Sequence, residues 1–231
     1  PKGTDLVILP EMFATGFSVS CKTDLELNSN SPTLKWMKEK ALKYQCSIIG
    51  SIAIRDNDKN YNRLYFINPD GTQNYYNKRH LFRLSEESQN YHPGENQVTV
   101  NFHGWKIRLS ICYDLRFPVW LRNRYLNQEF EYDILVNVAN WPSSRNMAWE
   151  YLLKARAIEN QCYVIGVNRT GNDGNNTPHC GNSMICNIDG SAVMESKTAE
   201  GAFSITLRKS ELNTNRDRFN PALDWDLFEL K

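Results

Sequence analysis

The chain has 231 residues, 41% of them hydrophobic and 23% charged, so it can bury a sizeable core and is not a disordered polyelectrolyte. Lys and Arg number 27 against 26 Asp and Glu, and a net charge of +1 excludes the strongly basic balance expected of a nucleic-acid-binding domain. No apolar run approaches the roughly 18 residues that span a bilayer.

Strands and helices are expected to alternate. Residues 6–9 (LVIL) read as a short buried strand, and 11–22 as a loop. Ser31-Pro32 is a helix start, with Leu34, Met37, Ala41 and Tyr44 on one face. A strand follows at 47–54. The pairs 61–68 with 73–77, about Pro69-Asp70-Gly71, and 98–102 with 105–111, about His103-Gly104, read as hairpins. A helix is expected over 119–126. Further on come a strand at 134–138, a helix ending near Asn160, a strand at 163–167 and a glycine-rich loop at 171–174. A hairpin about Asp189-Gly190, a last strand at 201–207 and an aromatic tail packing across a neighbour complete the chain. One α/β domain over residues 1–231 is the economical organisation.

The six cysteines form no CxxC pair, and the four histidines have no ligand spacing with them. Four of the cysteines sit in apolar stretches, as reduced thiols of a cytoplasmic protein would.

Three segments place a reactive residue type just beyond a strand, where α/β folds carry their sites. In Leu9-Pro10-Glu11-Met12-Phe13 the proline stops the strand and presents Glu11 among apolar neighbours, a setting that raises a carboxylate pKa and suits a general base. In Asn77-Lys78-Arg79-His80-Leu81-Phe82, Lys78 can serve as a fixed cation toward an oxyanion, with Glu87 nearby to hold it. In Ile111-Cys112-Tyr113-Asp114-Leu115-Arg116-Phe117-Pro118 the thiol sits at a strand-to-helix elbow, where a helix N-terminus favours thiolate and the Tyr113 N–H faces the same space. Each segment alone better fits a solvated glutamate, a surface lysine or a buried structural cysteine. There is no GxSxG elbow, no papain-type cysteine context and no phosphate loop.

Taken in order, LPEMF, NKRHLF and ICYDLRFP resemble the Glu-Lys-Cys triad segments of the nitrilase, or carbon–nitrogen hydrolase, superfamily. NVANWP (137–142) and LKARAIENQ (153–161) resemble the segments that follow the nucleophile. The resemblance spans essentially the whole chain, and CYDLRFP, NVANWP and GVNRTGNDG point to the omega-amidase-like branch. It implies a four-layer α-β-β-α sandwich that dimerises through a helical face. It also implies a strand and a helix before residues 6–9, so the chain is expected to be an N-terminally incomplete domain.

By the same resemblance Glu11, Lys78, Cys112 and Glu87 are catalytic and the Tyr113 backbone N–H is an oxyanion donor. Arg116 is the first candidate for clamping a substrate carboxylate, against the alternative of a structural salt bridge to Asp114 or another acid. Trp141, Phe82 and Phe117 are pocket candidates, against the alternative of core packing. The expected substrate is the omega-amide of a small 2-oxo acid such as 2-oxoglutaramate or 2-oxosuccinamate. No metal or organic cofactor is needed, no nucleic acid or membrane is expected as partner, and a homodimer is. The alternatives are an N-carbamoyl amino acid amidohydrolase, a nitrilase, or a non-catalytic interaction module retaining the fold.

Overall fold

The computed structural model describes residues 3–17, 19–20, 25–198 and 200–230. In chain order its strands are β1 (Leu6–Ile8), β2 (Glu26–Leu27), β3 (Ser47–Asp56), β4 (Lys59–Ile67), β5 (Gln73–Asn77), β6 (Thr99–Phe102), β7 (Trp105–Ile111), β8 (Tyr125–Leu126), β9 (Glu129–Phe130), β10 (Ile134–Ala139), β11 (Tyr163–Asn168), β12 (Thr170–Asn172), β13 (Pro178–Cys180), β14 (Met184–Cys186) and β15 (Ala192–Glu195). The helices are α1 (Pro32–Tyr44), α2 (Glu87–Asn90), α3 (Pro118–Leu121), α4 (Asn146–Asn160) and α5 (Lys209–Arg218).

Two sheets form the centre. In the first, β1 and β2 both run parallel to β3 on the same side of it, and β4 and β5 follow antiparallel. The second has the order β15-β14-β11-β10-β7-β6, with β7, β10 and β11 parallel. Side-chain alternation gives the first sheet two apolar faces. Ile48, Ile52, Ile54, Tyr65 and Ile67 pack against Leu34, Met37 and Ala41 of α1. Ile49, Leu64, Phe66 and Tyr76 point the other way, into the core shared with Leu109, Ile111, Val136 and Val138 of the second sheet. On the far side of that sheet α4 buries Trp149, Leu153 and Ala157. The result is the α-β-β-α layering expected from the resemblance.

Local signals account for the principal elements. Ser31 caps α1, its Oγ accepting the Leu34 N–H at 2.9 Å, with Pro32 at the first helical position. Left-handed Gln45 and Gln161, at φ 50° and 47°, end α1 and α4. His103 and Gly104, at φ 46° and 80°, make the β6–β7 turn.

Five expectations are corrected. Residues 119–126 are not one helix: α3 ends at Leu121, and Tyr125–Leu126 pair with Glu129–Phe130. The side chain of Asn123, donating to the Tyr132 and Asn160 carbonyls, holds the chain out of helical conformation there. Residues 171–174 are not a bare loop but start the β12–β13 ribbon. The strand expected over 201–207 does not form; these residues are largely exposed and without ladder bonds, so the apolar alternation there is not matched to a sheet edge. Tyr44 leaves the buried face of α1 and is 61% exposed, as the last residue of the helix. α5, where the tail begins, buries Leu212 and Arg216, and Trp225 beyond it meets the Phe130 ring edge-on at 5.9 Å. The loop expected over 11–22 is a turn over 11–17; Ser18, Cys21 and Lys22 lie outside the described residues.

Candidate active site

Both sheets direct chain segments to one end of the sandwich. β1 leads through Pro10 to Glu11, β5 to Lys78, β7 to Cys112, and β10 to Asn140 and Trp141. Two of these exits carry backbone strain. Met12 and Cys112 have φ of 43° and 45°, in the left-handed region that non-glycine residues enter at a cost of about 1–3 kcal/mol. At Met12 the turn is fixed by its N–H donating to Ser51 Oγ at 2.8 Å.

Lys78 is 1% exposed and surrounded by carboxylates. Its Nζ lies 2.9 Å from Glu11 Oε1 and 2.9 Å from each oxygen of Glu87, so all three ammonium protons are used. Asn62 donates from Nδ2 to Glu11 at 2.7 Å and to Glu87 at 3.1 Å. The other Glu11 oxygen accepts the Asn140 N–H at 2.8 Å, and Asn140 Nδ2 donates to the Glu11 carbonyl at 2.7 Å. The second Glu87 oxygen also takes the Phe82 N–H at 2.7 Å. Gly94 closes this wall. Its N–H donates to the Lys78 carbonyl at 2.8 Å, and a Cβ there would sit 2.1 Å from the Asn77 carbonyl oxygen, so a side chain has no room.

Burial alone would lower the Lys78 pKa, but the charges of Glu11 and Glu87 outweigh it and hold the ammonium above its ordinary value. Burial, together with the Glu11 charge, raises Glu87 despite the opposing pull of Lys78. The Cys112 thiol is pushed well above its ordinary value, first by burial and then by the negative charge of Glu11, with Lys78 opposing. This corrects the expectation of a thiolate favoured by a helix N-terminus. A short 3-10 turn, Cys112–Arg116, follows the strand, and burial with the Glu11 charge sets the direction in which the thiol moves. The Glu11 carboxylate, expected among apolar groups, is instead ringed by polar donors, although Met12 beneath it is fully buried.

Asp114 pins the turn. It accepts the Ile111 N–H at 3.0 Å, the Tyr76 hydroxyl at 2.7 Å and the His80 N–H at 2.9 Å, and its Oδ1 lies 2.8 Å from His80 Nδ1. Trp120 donates to the Tyr76 oxygen at 3.0 Å. With its carboxylate so occupied, Asp114 is not the partner of Arg116. Arg116 instead lies over the Trp141 ring, 4.8 Å from its centroid, and has no carboxylate partner among the described residues.

Trp141 is 3% exposed and packs against Trp149 in a tilted ring pair, so it serves the core as well as supporting Arg116. Phe82 and Phe117 both meet the Tyr113 ring edge-on, at 5.2 and 5.1 Å, and Phe117 stacks flat on His80 at 3.7 Å. The nine residues singled out from sequence therefore fall in one connected neighbourhood. Asn62, Asn140 and the ring of Phe17, 5.3 Å from Lys78 Nζ, were not singled out. Asn62 lies in the polar half of β4, among Asn60, Tyr61 and Arg63, and neither it nor Phe17, in an irregular turn, carried a signal that set it apart.

Comparison with known proteins gives the family. A model of the carbon–nitrogen hydrolase family matches residues 1–212. Omega-amidase YafV of Escherichia coli strain K12 is 39% identical over 229 residues, covering 99% of this chain and 87% of its own length. The 2-oxoglutaramate amidase of Bacillus subtilis strain 168 is 34% identical, covering 87% of this chain and 76% of its own length. The crystal structure of XC1258 from Xanthomonas campestris, a CN-hydrolase superfamily protein with an arsenic adduct in its active site, superposes with a TM-score of 0.96 at 40% identity, over 99% of this chain and 87% of that one. The chain belongs to the carbon–nitrogen hydrolase family. Within that family it is omega-amidase-like.

Proposed function

We propose that the chain hydrolyses the omega-amide of a small 2-oxo dicarboxylic acid monoamide, 2-oxoglutaramate or 2-oxosuccinamate, to the acid and ammonia. The observation that carries this reading is the buried ammonium of Lys78, held by Glu11 and Glu87 where Glu11 also bears on the Cys112 thiol.

Cys112 gives its proton to Glu11 as sulfur attacks the amide carbonyl carbon. The developing oxyanion is met by Lys78 and by the N–H of Tyr113, each good donor contributing roughly 3–4 kcal/mol. Protonating Glu11 loosens its hold on Lys78 Nζ and turns one ammonium proton toward the oxyanion. Glu11 then delivers the proton to the leaving nitrogen; the C–N bond breaks, ammonia departs and a thioester to Cys112 remains. Glu11 next takes a proton from water, hydroxide adds to the thioester, and the acid leaves as the thiol is restored. Glu87 anchors Lys78 throughout. Arg116, stacked and unpaired, clamps the carboxylate at the far end of the substrate. Trp141 supports that clamp, and Phe82 and Phe117 line the pocket through Tyr113.

The test is ammonia release from a panel of 2-oxoglutaramate, glutamine, asparagine and N-carbamoyl-β-alanine. 2-Oxoglutaramate is expected to be preferred, and Cys112→Ala is expected to abolish its turnover with an unchanged circular dichroism spectrum. Unchanged turnover in that variant overturns the mechanism. Carbon dioxide released together with ammonia from the carbamoyl compound, at a higher kcat/KM, overturns the substrate in favour of a carbamoyl amidohydrolase. We place the enzyme in the cytoplasm, on its reduced thiols, and propose that it works as a homodimer.

A further inference from the structure

Most of the arginines are committed. Arg63, Arg108, Arg124, Arg156 and Arg216 each pair with a carboxylate. Arg79, Arg122 and Arg169 donate to backbone carbonyls. Among the described residues, the partly buried guanidiniums left without an oxygen partner are Arg116 and Arg145, and both border the same site.

Arg145 ends the 3-10 turn Ser143–Arg145 that follows β10. Its guanidinium lies over the Phe82 ring, 5.4 Å from the centroid, and so reaches from the second sheet's loops to the loop after β5. Phe82 itself is fixed to the catalytic cluster, its N–H on Glu87 and its ring against Tyr113, the neighbour of Cys112. Trp141 ties the two cations together: Arg116 covers its ring, and its indole N–H donates to the Arg145 carbonyl at 2.9 Å. A guanidinium held over a ring keeps N–H donors that the ring does not use, and neither Arg116 nor Arg145 gives them to an oxygen among the described residues. Two such cations, tied through Trp141 and Phe82 to the same catalytic cluster, fit a ligand with two adjacent acceptor groups.

A 2-oxo acid has that array at the end remote from its amide, a carboxylate next to a ketone oxygen. We infer that Arg145 is a specificity-determining residue that reads the 2-oxo group while Arg116 takes the carboxylate. An amino acid amide puts an ammonium where the ketone would be. Arg145 then meets a like charge and finds no acceptor, and a site built to donate a hydrogen bond rejects a substrate that cannot accept it. The inference rests on the substrate class proposed above and assigns its selection to a residue outside the triad.

The test compares wild type, Arg145→Met and Arg145→Lys on 2-oxoglutaramate and on glutaramate, the same amide without the ketone. Arg145→Met is expected to lower kcat/KM for 2-oxoglutaramate about 10- to 100-fold more than for glutaramate, mainly through KM, with Arg145→Lys recovering part of the difference. Equal losses on the two amides, or a loss confined to kcat, overturn the assignment of Arg145 and leave the substrate class standing. A wild-type enzyme that does not turn over 2-oxoglutaramate overturns the substrate class, and this inference with it.

Discussion

A proton passed from Cys112 to Glu11 leaves the charge of the buried cluster unchanged. Lys78 balances one of the two carboxylates, so the resting site carries one net negative charge with the thiol protonated. A free thiolate would add a second negative charge in a site already short of water, and that is why the thiol is held high. Cys112 labelling by iodoacetamide, followed by mass spectrometry across pH, is therefore expected to keep rising past the ordinary thiol value of about 9 without an earlier plateau. A plateau near neutral pH would mean a resting thiolate and would remove Glu11 from the first step. The identities of these residues were legible because each stands just after a strand-ending signal. Their electrostatics were not, since the cluster joins residues 67 and 9 positions apart and a thiol next to a helix start ordinarily points the other way.

Hairpins were the most legible elements, because Pro-Asp-Gly, His-Gly and Asp-Gly turns demand backbone conformations that few other residues supply. The short ribbons β8–β9 and β12–β13 were not, since two or three residues show no periodicity. The part played by α5 was hidden too, because it depends on one distant acid. Asp133, just before β10, accepts from Lys106 N at 3.0 Å, Lys209 Nζ at 2.9 Å and Arg216 Nη1 at 2.8 Å. Burial would raise its pKa, but these donors outweigh burial and hold it below the ordinary carboxylate value. The stability that this lowered value contributes is complete above about pH 4, where an unfolded aspartate is ionised, and is lost as pH falls through the lower folded value. Asp133→Ala leaves the buried Arg216 without its carboxylate and is expected to cost about 3–5 kcal/mol at pH 7. In thermal melts the gap between variant and wild type should narrow below pH 4. A gap that stays constant down to pH 3 would mean that α5 is held by packing alone.

At the scale of the molecule, the outer face of α4 is left uncovered by the described residues. Met147, Tyr151 and Ile158 are 68%, 60% and 54% exposed at helical spacing, opposite the buried Trp149, Leu153 and Ala157. If this helix face joins two copies, Tyr151→Glu should shift sedimentation from dimer to monomer, and a wild-type chain sedimenting as a monomer would refute the arrangement. The layer order was legible from alternating strands and helices once the motif resemblance was recognised; which face stays open was visible only after folding. One further point follows from Asn140, which belongs to one sheet while its backbone N–H and side-chain amide grip Glu11 of the other. The proton acceptor is thus aimed by a strand on the opposite half of the molecule. Two halves with intact ladders but a slipped interface would keep their spectroscopic signature and lose their chemistry, which makes turnover a gauge of how well the halves are docked.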